Sequence, residues 1–187
     1  MDPTSDLVRR CVNGDPAAFE QLVREHMNAV LGLAYNYVGN FSAAEDIAQD
    51  TFVQAFQSLS SLRDGARFKV WLLKIARNKS IDSIRRNPNW ISLDQDRAIQ
   101  AELSQKQAEA PEQPFLGFDE DDLLKALGSL RADYREIFVL KHVDNLSYKE
   151  ISLILGMTVS AVGEKLYRVR SLIREKLEEI KLGSNRS

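Results

Sequence analysis

The sequence predicts an all-α fold of two small helical domains joined by a flexible acidic linker. Three observations predict it. Apolar residues recur at helical spacing through two blocks, about 5–90 and 119–182. No stretch alternates apolar and polar residues as a half-buried strand would. Between the blocks, residues 91–118 are rich in Gln, Ala, Glu and Ser, hold two prolines and carry little periodicity.

In the first block, Phe19, Leu22, Val23, Met27, Val30, Leu31, Ala34 and Val38 mark the inner face of one helix. Asp15 is placed to cap it, Pro16 suits its first position, and Gly39-Asn40 stops it. Ser42 with Glu45 reads as a capping box for the next helix. The inner face expected there is Ile47, Ala48, Thr51, Phe52, Ala55 and Phe56. After the loop SLSSLRDGAR, a third helix is predicted from Arg67 to Arg86, burying Phe68, Trp71, Leu72, Ile75 and Ala76 and ending before Pro88. In the second block, Leu123, Leu124, Leu127 and Leu130 mark one helix, and Tyr134, Ile137, Phe138, Leu140 and Lys141 the next.

The end of the second block carries a sharper pattern. Ser147 and Glu150 form a capping box for a short helix with Ile151, Ile154 and Leu155 inside. Gly156 supplies a left-handed turn residue. A longer helix then starts near Thr158, with one apolar seam at Val162, Leu166, Val169, Ile173, Leu177 and Ile180. A short helix, a glycine turn and a longer helix make a helix-turn-helix, whose second helix can enter the major groove. Its outward face holds Ser160, Gly163, Glu164, Tyr167, Arg168, Arg170 and Arg174. A plain helical hairpin with a solvated face would carry the same seam.

Charge is distributed unevenly. The net charge is −2. Residues 94–122 hold nine acids against two bases, a local −7, while residues 63–86 hold eight bases against two acids, a local +6. A basic block of that kind is what a phosphate-contacting surface needs. Within it, Lys74, Asn78, Asp82 and Arg85 share a helix face, flanked by Arg77, Lys79 and Arg86. Trp71 and Trp90 lie near these cations, an arrangement suited to unstacked bases. On the preceding helix, Glu45, Asp46, Gln49, Asp50 and Gln54 form an acidic outer stripe, which on its own is an ordinary solvated surface.

Other chemistries find no support. There is no glycine-rich phosphate loop, and His26 and His142 stand without a nucleophile at signature spacing. No catalytic residue, metal or cofactor is expected. A single cysteine, Cys11, excludes an internal disulfide, and no apolar run reaches a membrane span, so a reduced cytoplasmic protein is expected.

Three stretches carry a family resemblance: GDPAAFEQLV, then GNFSAAEDIAQDTFVQAF, then RFKVWLLKIARNKSIDSIRR. They resemble region 2 of the sigma-70 family of bacterial RNA polymerase sigma factors. LGSLRADYREIFVLKHVDNLSYKEISLILGMTVSAVGEKLYRVRSLIREKL resembles region 4. The absence of a large domain between them points to the extracytoplasmic-function (ECF) group. The resemblance implies a transcription initiation factor that binds core RNA polymerase and promoter DNA and is not an enzyme. Glu45, Asp46, Gln49, Asp50 and Phe52 would dock on the polymerase β′ clamp helices, and region 4 would meet the β flap. Arg63, Lys69, Trp71, Lys74, Asn78, Asp82, Arg85 and Arg86 would read the −10 element, melting it and capturing an unstacked base. Ser160, Gly163, Glu164, Tyr167, Arg168 and Arg170 would read the −35 element as duplex. An anti-sigma factor is implied as a further partner, and no small-molecule substrate is. The competing expectation is a free-standing helix-turn-helix regulator.

The sequence departs from the family at one place. Many members carry a basic residue followed by Ser or Thr where this chain has Gly163-Glu164. Glu164 would repel a nearby phosphate, or accept a hydrogen bond from cytosine N4.

Overall fold

The computed structural model describes residues 2–87 and 119–184. The linker, Pro88 and Trp90 lie outside the described residues. Among the described residues eight α-helices follow in order: α1 (Pro3–Val12), α2 (Pro16–Val38), α3 (Phe41–Ser58), α4 (Phe68–Arg86), α5 (Glu120–Gly128), α6 (Ala132–His142), α7 (Tyr148–Leu155) and α8 (Val159–Ser184). The described chain has no strand. It divides into two units. One is built from α1–α4 together with residues 150–156, the other from residues 119–149 and 157–184.

The first unit is a bundle in which α2, α3 and α4 each pack against the other two. The capping residues set where these helices begin. Asp15 accepts from the backbone N–H groups of Ala17 and Ala18, and Pro16 occupies the first helical position. Gly39 closes α2 in the left-handed region at φ 64°, donating its N–H to the Tyr35 carbonyl. The start of α3 differs from the expectation. Asn40, not Ser42, is the cap, because its side-chain oxygen accepts from the Ala43 N–H at 2.9 Å and so begins the helix two residues earlier.

Helix α1 was not legible in the sequence. Asp2 caps it, and Leu7 and Val8 are buried. Arg10 donates twice to one Asp15 oxygen, at 3.0 and 2.7 Å, which ties α1 to the start of α2. That hydrogen bond, with the neighbouring backbone donors, holds the Asp15 carboxyl below its ordinary pKa. On its other side α1 meets the loop leading into α4, whose backbone forms two short 3-10 turns, Leu59–Ser61 and Gly65–Arg67. A Cβ at Gly65 would lie 2.8 Å from the Ser5 Cα, so only glycine permits this approach.

Phe68, at the start of α4, is fully buried and meets the His26 ring edge-on at 5.2 Å. His26 is itself buried, its Nδ1 donating to the Leu22 carbonyl at 3.0 Å. A hydrogen-bonded imidazole in a core of this kind is a packing element.

In the second unit, α5 and α6 both pack on α8. The predicted seam is realised as far as Leu177: Val162, Leu166, Val169, Ile173 and Leu177 are fully buried, while Ile180 is partly exposed. A polar clamp reinforces it. Lys165 of α8 donates to Asp133 of α6 at 2.8 Å, Arg131 donates to the other Asp133 oxygen at 3.1 Å, and both cations lie over the Tyr134 ring. Burial alone would push the Asp133 carboxyl up. Lys165 and then Arg131 outweigh that and hold it below its ordinary value. A carboxyl depressed on folding stabilises above its unfolded pKa, near 4, and loses that contribution as pH falls through the folded value. Asp133→Asn is therefore expected to be less stable than the wild type at pH 7. The gap should close below about pH 4. Denaturant unfolding of the full chain across that pH range measures it, and a constant gap would count against the clamp.

Candidate functional site

Helix phase decides which α3 side chains are available. Glu45, Asp46, Gln49 and Asp50 are exposed along its outer side. Phe52, expected to dock alongside them, is 5% exposed and belongs to the core with Ala48, Thr51 and Ala55. It lies three or four positions from each of these or beside one, on the turn that faces the bundle. Phe56, expected inside, is 59% exposed. Seven residues beyond Gln49 and eleven beyond Glu45, it continues the outer stripe through Val53, which is also exposed. The Phe56 ring meets Phe19 of α2 edge-on at 4.9 Å. The apolar component of this face is thus Val53 and Phe56.

On α4, Lys74, Asn78, Asp82, Arg85 and Arg86 are exposed. Trp71, expected to be buried, is partly exposed and packs at 6.0 Å from Phe68. Arg63 is exposed in the loop, and Lys69 is partly buried. Buried Leu72, Leu73, Ile75 and Ala76 fix the rotation of the helix, so the polar face cannot turn inward.

The two faces meet. A groove of about 360 Å³ runs between α3 and α4, lined by Ile47, Asp50, Gln54, Ile75, Asn78, Lys79, Asp82 and Arg86. Lys79 reaches to 4.0 Å from Asp50 across it, and Arg85 lies 3.8 Å from Asp82. These are loose pairs at the surface, worth little to stability and easily exchanged for other partners.

At the other end of the chain, Ile151 and Ile154 of α7 are buried. Gly156 turns the chain at φ 67°, and Thr158 caps α8 by accepting from the Ala161 N–H at 3.2 Å. Ser160 and Glu164 are exposed, while Gly163, Tyr167, Arg168 and Arg170 are partly buried. A Cβ at Gly163 would meet only the Tyr148 ring, at 3.6 Å, so the fold does not require glycine there. That residue still costs the helix about 1 kcal/mol relative to Ala.

Residues 22–89 match the family model for Sigma-70 region 2, and residues 120–173 that for Sigma-70, region 4. The chain belongs to the ECF group of the sigma-70 family. It is 31% identical over 179 residues to the ECF RNA polymerase sigma factor SigW of Bacillus subtilis (strain 168), covering 92% of this chain and 96% of that one. Its fold is similar to that of CnrH, solved in complex with the cytosolic domain of CnrY. The TM-score is 0.67 at 28% identity, covering 95% of this chain and 99% of that one. It is also similar to RpoE, solved with the anti-sigma factor NepR from Bartonella quintana. There the TM-score is 0.63 at 25% identity, covering 86% and 96%.

This sigma factor directs promoter-specific transcription initiation. The stripe on α3, the basic face of α4 and the groove between them all lie in region 2. Helices α5 to α7 and α8 as far as Ile173 lie in region 4.

Proposed function

We propose that region 2 docks on core RNA polymerase through the outer stripe of α3, with Glu45, Asp46, Gln49 and Asp50 meeting the β′ clamp helices. Phe56 and Val53 supply the apolar anchor there in place of Phe52. The loop after α3 and the outer face of α4 then read the −10 element. Lys74, Arg85, Arg86, Arg63 and Lys69 hold the backbone, Trp71 offers a stacking surface, and Asn78 and Asp82 contact bases. Residues 119–182 act as one region 4 domain that meets the β flap and reads the −35 element as duplex through Ser160, Gly163, Glu164, Tyr167, Arg168 and Arg170. The protein acts in the cytoplasm without catalysing a reaction. An anti-sigma factor restrains it, by analogy with RpoE, which was solved in complex with one.

One observation carries this reading. A single helical bundle presents an acidic and apolar stripe beside a basic and polar face, with a groove lined by both. A surface of mixed sign on adjacent helices suits simultaneous contact with a protein and with a melted strand. A DNA-binding module alone needs only the basic part.

The test is transcription in vitro with purified core polymerase. Promoter-specific transcripts are expected only when the chain is added. Tight, sequence-specific binding to duplex DNA without core polymerase, and no transcription with it, would instead indicate a free-standing helix-turn-helix regulator.

A further inference from the structure

We propose that Glu164 makes this sigma factor select a C·G pair at one position of the −35 element, by accepting a hydrogen bond from cytosine N4 in the major groove. The inference rests on the reading that α8 lies in that groove.

Glu164 is exposed on the second turn of α8, where a helix entering DNA presents side chains to base edges. Its hydrogen bond among the described residues comes from Ser160, whose Oγ donates to Oε1 at 3.4 Å. Oε2 is left available. Among the described residues no ion pair joins Glu164 to a cation of α8, neither Lys165 beside it nor Arg168 one turn on. Lys165 is drawn inward to Asp133 and its side chain is only 19% exposed. Gly163 adds no side chain beside the carboxylate and has no packing role that would explain it. The position a Gly163 side chain would take faces the Tyr148 ring, so Glu164 is the exposed group that α8 offers at this turn.

The base follows from the donor pattern of the groove. A carboxylate only accepts, and only cytosine N4 and adenine N6 present amino donors in the major groove. Adenine N6 sits beside the N7 acceptor, which opposes the second carboxylate oxygen. Cytosine N4 has no acceptor at its outer edge. A glutamine, with one donor and one acceptor, matches adenine instead.

The experiment uses reconstituted holoenzyme on promoters randomised upstream of one fixed −10 element, with transcripts sequenced. The wild type is expected to favour a C·G pair at one upstream position by about 5-fold or more, the lower end of what one mismatched base pair costs. Glu164→Gln should move the preference at that position to A·T, and Glu164→Ala should erase it there while leaving the other positions unchanged. A uniform gain at every promoter with Glu164→Ala would overturn the proposal, since Glu164 would then be repelling a phosphate. An unaltered profile would overturn it too, leaving Glu164 solvated. A wild type with no upstream preference at all would mean that the duplex-reading role of region 4 has failed, a result separable from either of those.

Discussion

Reversing charge at both Asp46 and Asp50 to lysine is expected to weaken binding to core RNA polymerase by about 2–5 kcal/mol, roughly 30- to 5,000-fold. The range is that of carboxylates desolvated in an interface; charges at its rim act mainly on the association rate and its salt dependence. Both side chains are exposed on α3. The fold loses only the loose Asp50–Lys79 pair, an exposed interaction worth less than about 1 kcal/mol. A binding titration with purified core polymerase measures the affinity, and thermal unfolding checks the fold. Phe52 and Phe56 of α3 should separate in the same assays. Phe56→Ala should reduce affinity with little change in melting temperature. Phe52→Ala should destabilise the bundle by about 3–5 kcal/mol, the cost of emptying a packed site. Unchanged affinity in the double lysine variant would place the docking face elsewhere.

Simultaneous replacement of Lys74, Asn78 and Arg85 by alanine should lower open-complex formation by about 10-fold or more while core binding is retained. All three are exposed along one side of α4, so their removal costs little packing. Asn78 is the residue suited to a base contact, and Lys74 and Arg85 are suited to phosphates. For every phosphate that is no longer neutralised, the salt dependence of promoter binding should fall by about one unit of slope or slightly less. Raising salt with the wild type should therefore reproduce part of the defect. Permanganate footprinting of the melted −10 region at several salt concentrations reads both effects. Normal melting by the triple variant would show that DNA follows a different face of region 2.

Much of this protein is written in short-range patterns. The Asp15-Pro16 start, the Gly39 stop, the Gly156 turn and the α8 seam each depend on residues within a few positions of one another. Helical periodicity and capping act over that distance, so the sequence alone determined an all-α chain, a helix-turn-helix and the polar faces of α3 and α4. The family motifs lie on those same faces.

What the sequence left open depends on partners distant along the chain. Helix α1 is ten residues long, too short to be stable by itself. It exists because Leu7 and Val8 are buried, Arg10 holds Asp15, and Ser5 fits against Gly65. The side of α3 taken by Phe52 and by Phe56 was likewise a tertiary decision. Both lie at the edge of the apolar arc, and packing against α2 and α4 turns Phe52 in and leaves Phe56 out against Phe19. Lys165 and Asp133 are 32 residues apart, and only the packing of α6 on α8 brings them within 2.8 Å. Local chemistry chose the helices. Rotation about each helix axis was chosen by burial of apolar surface against neighbours far away in sequence, and that rotation selects the residues left free to meet polymerase and DNA.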